Sequence, residues 1–168
     1  ICLGHPGPGS DLGARMTDVE ENAAVVTAAV VNRTARILHW ERHLAEAIEA
    51  ARDRSFRWGQ HDCATFAFDL RRTLAGGPDV AALWRGRYRT ARGAVRVMRR
   101  LGWSSLEAAG RDLLGAPLPS VQHAQRGDLV LANTGLGFGI CLGARAAGIA
   151  PSGLLLVPIT ACALAWRV

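Results

Sequence analysis

The sequence predicts one α+β domain, with helices in its first two thirds packed on a small antiparallel sheet formed by its last third. Two observations carry this. From about Trp40 to Leu74 apolar residues recur at spacings of three and four, the period of helices buried along one face, and helix caps and stops continue to about residue 115. From Arg126 onward short apolar runs alternate with glycine-rich turns, as in strands joined by tight connections. Helices first and strands second is an α+β order.

A chain of 168 residues, 49% of them apolar, is the size of a single packed core. Its net charge of +6 rests on 20 basic residues, all arginine. The surplus suits an acidic partner, but no nucleic-acid motif accompanies it and generic surface charge is the simpler account. Cys2, Cys63, Cys141 and Cys162 lie far apart without a CxxC pair, so thiols are expected, with neither a metal nor another cofactor. The apolar stretch 23–31 covers about half of the roughly 20 residues that a membrane span needs. It has no basic segment before it, so no signal peptide and no membrane span are expected, and the location follows as cytoplasmic or virion-associated.

Residues 1–38 read as an N-terminal extension, rich in Gly and Pro at first and then opening a capping-box pattern at Thr17-Asp18-Val19-Glu20. The domain itself is expected over 39–168. A helix is expected from about Leu38 to Arg52, with Trp40, Leu44, Ile48 and Ala51 on one face. Asp62 is a good N-cap for a second helix, from Cys63 to about Leu74, stopped by Gly76-Gly77-Pro78. Further helices are expected at 79–85, 90–101 and 105–114, the last with Ser104 and Glu107 in capping-box register and Gly115 as its stop. After Arg126-Gly127-Asp128, strands are expected at 129–132, 138–142, 144–147 and 154–159.

The segment Phe56 to Phe66 carries the chemistry. A thiol becomes a strong nucleophile as the thiolate, and the first turn of a helix favours negative charge through its unpaired N–H groups and dipole. Cys63 directly after an N-cap therefore offers a candidate nucleophile together with N–H groups that can stabilise an oxyanion. The competing reading of the same spacing is a small buried core residue.

Phe56, Trp58, Gly59, Asp62 and Cys63 form an aromatic-x-Trp-Gly stretch followed by Asp-Cys on a helix, which resembles the nucleophile motif of NlpC-type papain-like cysteine peptidases. That family follows a Gly-Asp-Leu-Val strand with a strand reading His-Val-Gly-Ile-x-Leu-Gly. Here Gly127-Asp128-Leu129-Val130 precedes Gly137-Phe138-Gly139-Ile140-Cys141-Leu142-Gly143. The match covers roughly residues 56–145. With Trp84-Arg85-Gly86-Arg87-Tyr88 and the terminal Ala165-Trp166-Arg167-Val168, the chain is similar to a poorly characterised prophage and phage-tail-associated group that lacks the usual catalytic histidine. The resemblance implies a papain-like fold, Cys63 as nucleophile, and Trp58 and Gly59 beside the substrate. It also implies a peptidoglycan stem peptide or phage tail proteins as partners. Gly137 stands where the family has its histidine.

A cysteine hydrolase needs a base near the sulfur. His61, on the loop entering the helix, is the first candidate, and it can equally cap the helix or bond to backbone. His123 is a second candidate, against an ordinary solvated loop residue. His39 and His43 lie four apart, a metal-compatible spacing with no third ligand following. Asp62 either orients His61 or caps the helix, and Asp128 reads as a turn residue satisfying local N–H groups. Cys141 and Cys162 read as core, and the dispersed tryptophans as core or pocket walls. Arg92, Arg96 and Arg99 or Arg100 share one helical face, either merely solvated or contacting an acidic partner. Two functions follow: a peptidoglycan amidase or endopeptidase acting through a thioester, or a non-catalytic component of a phage tail or related particle on the same fold.

Overall fold

A computed structural model describes residues 35–135 and 137–168, and the capping-box pattern at Thr17 lies outside the described residues. Helix α1 (Trp40–Arg52) buries Leu44, Ile48 and Ala51, the face that the spacing predicts. Helix α2 (Cys63–Ala75) buries residues on several sides, Phe66, Phe68, Leu70 and Leu74 among them, because α1 packs on one flank and the sheet on another. Gly76, at φ 70, ends it with its N–H returned to the Arg72 carbonyl.

The helix expected over 79–85 is only a 3-10 turn, Val80–Leu83. Arg85 leaves that turn to form a two-point ion pair with Asp69 and a third bond to Asp79, and the Gly86 N–H donates to the Gly59 carbonyl. These tertiary bonds outweigh continuation of the helix. Helices α3 (Ala91–Arg100) and α4 (Leu106–Leu114) follow, capped by Thr90 and Ser105. The expected capping box is therefore displaced by one residue: the Ser105 hydroxyl accepts from the Ala108 N–H, while Glu107 pairs along the helix with Arg111. Among the described residues no helix is long and apolar enough to cross a membrane.

Five strands, β1 (Leu129–Ala132), β2 (Phe138–Cys141), β3 (Arg145–Ala150), β4 (Gly153–Pro158) and β5 (Cys162–Trp166), form one antiparallel sheet in the order β4-β3-β2-β1-β5. The expected strand at 144–147 runs on to Ala150, since β4 pairs along its length. Strand β5 was not expected. Its Cys-Ala-Leu-Ala-Trp run is weakly patterned, and pairing with β1, with a bulge at Leu131/Ala132, draws it into the sheet.

Side chains alternate between the two sheet faces. Leu129, Leu131, Phe138, Ile140, Ile149 and Trp166 pack toward the helices in the main core. Val130, Cys141, Ala146, Cys162 and Ala165 form a second cluster on the other face, covered by Leu118, Val121 and Ala124. Cys141 and Cys162 are thus core residues. The fold is α+β, with helices on one face of an antiparallel sheet.

Two residues of the expected extension are joined to this domain. The Ile37 N–H donates to the Leu74 carbonyl at 2.8 Å. Arg36 donates to the Asp128 carboxylate at 2.7 Å and to the carbonyls of Val168 and Arg126. Asp128 is fully buried and does more than close a turn: it also accepts from Arg167 and from the N–H groups of Gln125 and Val168.

Candidate functional site

The loop before α2 is held by backbone bonds. Arg57 and His61 exchange N–H donations to each other's carbonyls at 3.0 and 2.8 Å. Gly59 sits at φ 70, and a Cβ there would stand 2.5 Å from the Tyr88 carbonyl oxygen, so only glycine fits. Gly59 is therefore buried against the backbone of residues 86–88 and holds the loop in place. Trp58, next to it, lines the main cavity.

Asp62 is the cap of α2. One carboxylate oxygen accepts from the Thr65 N–H at 2.9 Å, and the other accepts from the Gly59 N–H at 2.7 Å and the Tyr88 hydroxyl at 2.6 Å. Of the two readings left by the sequence, capping fits these bonds. Tyr88 was not singled out as a site residue. Its hydroxyl locks the 84–88 segment onto the start of α2, and burial together with the bond to Asp62 pushes its pKa far upward.

Cys63 opens α2 beside a cavity of about 380 Å³. Trp58, Phe68, Trp84, Tyr88, Trp103 and Phe138 form much of the wall. Burial raises the thiol pKa, and the neighbouring Asp62 carboxylate raises it further, while N–H groups of Phe138 and Ala64 act in the opposite direction. The lowering expected from the helix start is outweighed by burial and by Asp62.

Gly137, just before β2, faces this sulfur. A Cβ placed on it would lie 3.7 Å from the Cys63 Cβ and 3.9 Å from Sγ.

None of the described histidines is in the cavity wall. His61 is buried on the other side of the loop, in a second cavity of about 180 Å³ between α1 and α2, edge-on to Phe66 at 6.1 Å. Among the described residues its Nε2 has no hydrogen-bond partner, and burial, aided by the charge of Arg54, lowers its pKa. His61 and Cys63 thus line separate cavities. His123 is exposed, in a 3-10 turn (Val121–His123) on the sheet face away from the helices. His39 precedes α1 in a left-handed conformation, and His43 lies 3.6 Å from Glu46. The structure brings Cys63, Asp62 and Trp58 to one cavity, and it does not place His61 there. Trp84 and Trp103 complete that wall, in keeping with the pocket-wall reading of the tryptophans.

Residues 35–168 match the family described as a domain of unknown function (DUF6950), and the chain belongs to that family. No curated protein and no solved structure matches the chain.

Proposed function

We propose that this domain keeps the layout of an NlpC-type papain-like cysteine hydrolase and uses it to bind rather than to cleave, as a component of a phage tail or related particle. The observation that carries this reading is the approach of Gly137 to Cys63. The position that holds the base in the resembled family directs its Cβ vector at the sulfur, at 3.9 Å, and carries no side chain. Burial raises the thiol pKa, and none of the described histidines is in its cavity wall, which favours binding over cleavage.

The other reading, a peptidoglycan amidase or endopeptidase, draws on one feature. Cys63 begins a helix and has the N–H groups of Ala64 and Phe138 directed at it, donors of the kind that stabilise an oxyanion.

Alkylation by iodoacetamide across a pH series, followed by muropeptide digestion, separates the two. The binding reading expects Cys63 to react slowly, with a midpoint above the value of about 8.5 for a free cysteine, and no cleavage. Rapid alkylation below neutrality, or cleavage that Cys63→Ala abolishes, would overturn it.

A further inference from the structure

The cavity beside Cys63 holds about 380 Å³, inside the range of roughly 300–1,000 Å³ typical of small-molecule sites. Most polar groups in its wall are already engaged within the protein. Trp84 Nε1 donates to Thr65 Oγ1 at 3.2 Å, Trp103 Nε1 to Asp112 at 2.8 Å, and the Tyr88 hydroxyl to Asp62 at 2.6 Å. Asp62 is filled further by the Gly59 and Thr65 N–H groups, and the Ser105 hydroxyl accepts from the Ala108 N–H. A charged stem peptide would give up its hydration here for few new partners. A hydrocarbon chain has no such hydration to lose.

Helix α3 adds a second constraint. Ala91, Ala94 and Met98 line the cavity. Val95 lines it too and is 41% exposed, at the cavity's edge, and Arg92 and Arg99, three residues before and four after it, share its side of the helix. Both are exposed, and among the described residues neither pairs with a carboxylate. This is a positive field at the edge of an apolar chamber, without a carboxylate partner among the described residues. Resting on the reading of the Cys63 cavity as a binding site, we infer that it takes one unbranched acyl chain whose anionic head stays at the surface, held by Arg92 and Arg99 of α3.

Calorimetric titration of the whole chain with saturated fatty acids of increasing length tests this. The expected result is saturable binding of one chain per protein, tightening about fourfold per methylene until the cavity is full. A brominated chain should quench Trp58, Trp84 and Trp103, which holds whether or not any variant folds. Ala94→Trp, filling the cavity from α3, should abolish binding. Arg92→Glu combined with Arg99→Glu should weaken the acid severalfold and leave the corresponding fatty alcohol unchanged.

Anionic phospholipid vesicles distinguish two sources of the chain. Co-flotation that Ala94→Trp abolishes identifies a bilayer lipid, and binding of the free acid alone identifies a soluble amphiphile. No saturation with either, no quenching, or full binding by a folded Ala94→Trp protein overturns the inference. Muropeptide cleavage would overturn the non-hydrolytic reading and leave the titration result standing. A failed titration would remove the acyl chain and leave that reading intact.

Discussion

Gly137 faces Cys63 so closely that a single added carbon would touch the sulfur's own side chain, 3.7 Å from the Cys63 Cβ. That separation is ordinary van der Waals contact, so a Cβ is accommodated there.

Gly137→His should therefore place an imidazole within reach of the thiol. The Cys63 pKa is expected to fall, and each unit of fall raises the thiolate fraction near neutrality about tenfold. Alkylation rates against pH, wild type beside variant, give the measurement. An unchanged profile in a folded variant would show that residue 137 does not govern the sulfur.

Removing the Asp62 carboxylate should loosen the start of α2 and the 84–88 segment together. Asp62→Ala loses a helix cap, about 1 kcal/mol, and leaves the Gly59 and Tyr88 donors without their acceptor, about 1–3 kcal/mol for each buried group. A total loss of about 3 kcal/mol or more is expected in urea unfolding. Asp62→Asn should cost less, since its amide oxygen still accepts from the Thr65 N–H.

His61 makes stability depend on pH. Its folded pKa lies below the ordinary value of 6.5, first through burial and then through Arg54. Below 6.5 the unfolded chain takes up a proton that the folded chain resists, so stability is full above that value and falls as pH drops toward the folded pKa. The urea midpoint should decline from neutral to mildly acidic pH, and His61→Leu should flatten this part of the decline. A parallel decline in both proteins would assign the effect to other groups.

Arg36 ties the first described residues to the C-terminus through Asp128. Arg36→Ala should cost about 2 kcal/mol, less than the ~3–5 kcal/mol for breaking a buried pair outright, because Arg167 still serves the carboxylate. A chain shortened to begin at residue 39 should show the same loss. Equal denaturation midpoints for the shortened and full chains would exclude this role.

Periodicity located α1 and α2 within a few residues, because each buries a face whose spacing is visible in the letters, and α3 and α4 were placed within a few residues as well, α4 by its capping and stop signals. It also located β1 to β4, whose apolar runs stand between glycine turns. Strand β5 and the 3-10 turn at Val80–Leu83 were not legible, since pairing with β1 and the Arg85 ion pairs act between residues distant in sequence. The capping box missed by one residue for a related reason: Ser104 and Ser105 look alike until the chain direction selects which hydroxyl meets the N–H.

By itself the sequence determined that a helix begins at Cys63 with Asp62 in the position before it, since both are set by local backbone chemistry, and that position 137 has no side chain to act as a base. Tertiary structure decided what those residues mean. It set Gly137 against the sulfur, turned His61 into a different cavity, set the thiol at the wall of a tryptophan-lined cavity and raised its pKa. Each of these depends on desolvation and on the distance between elements brought together by folding, and a linear order of residues encodes neither directly.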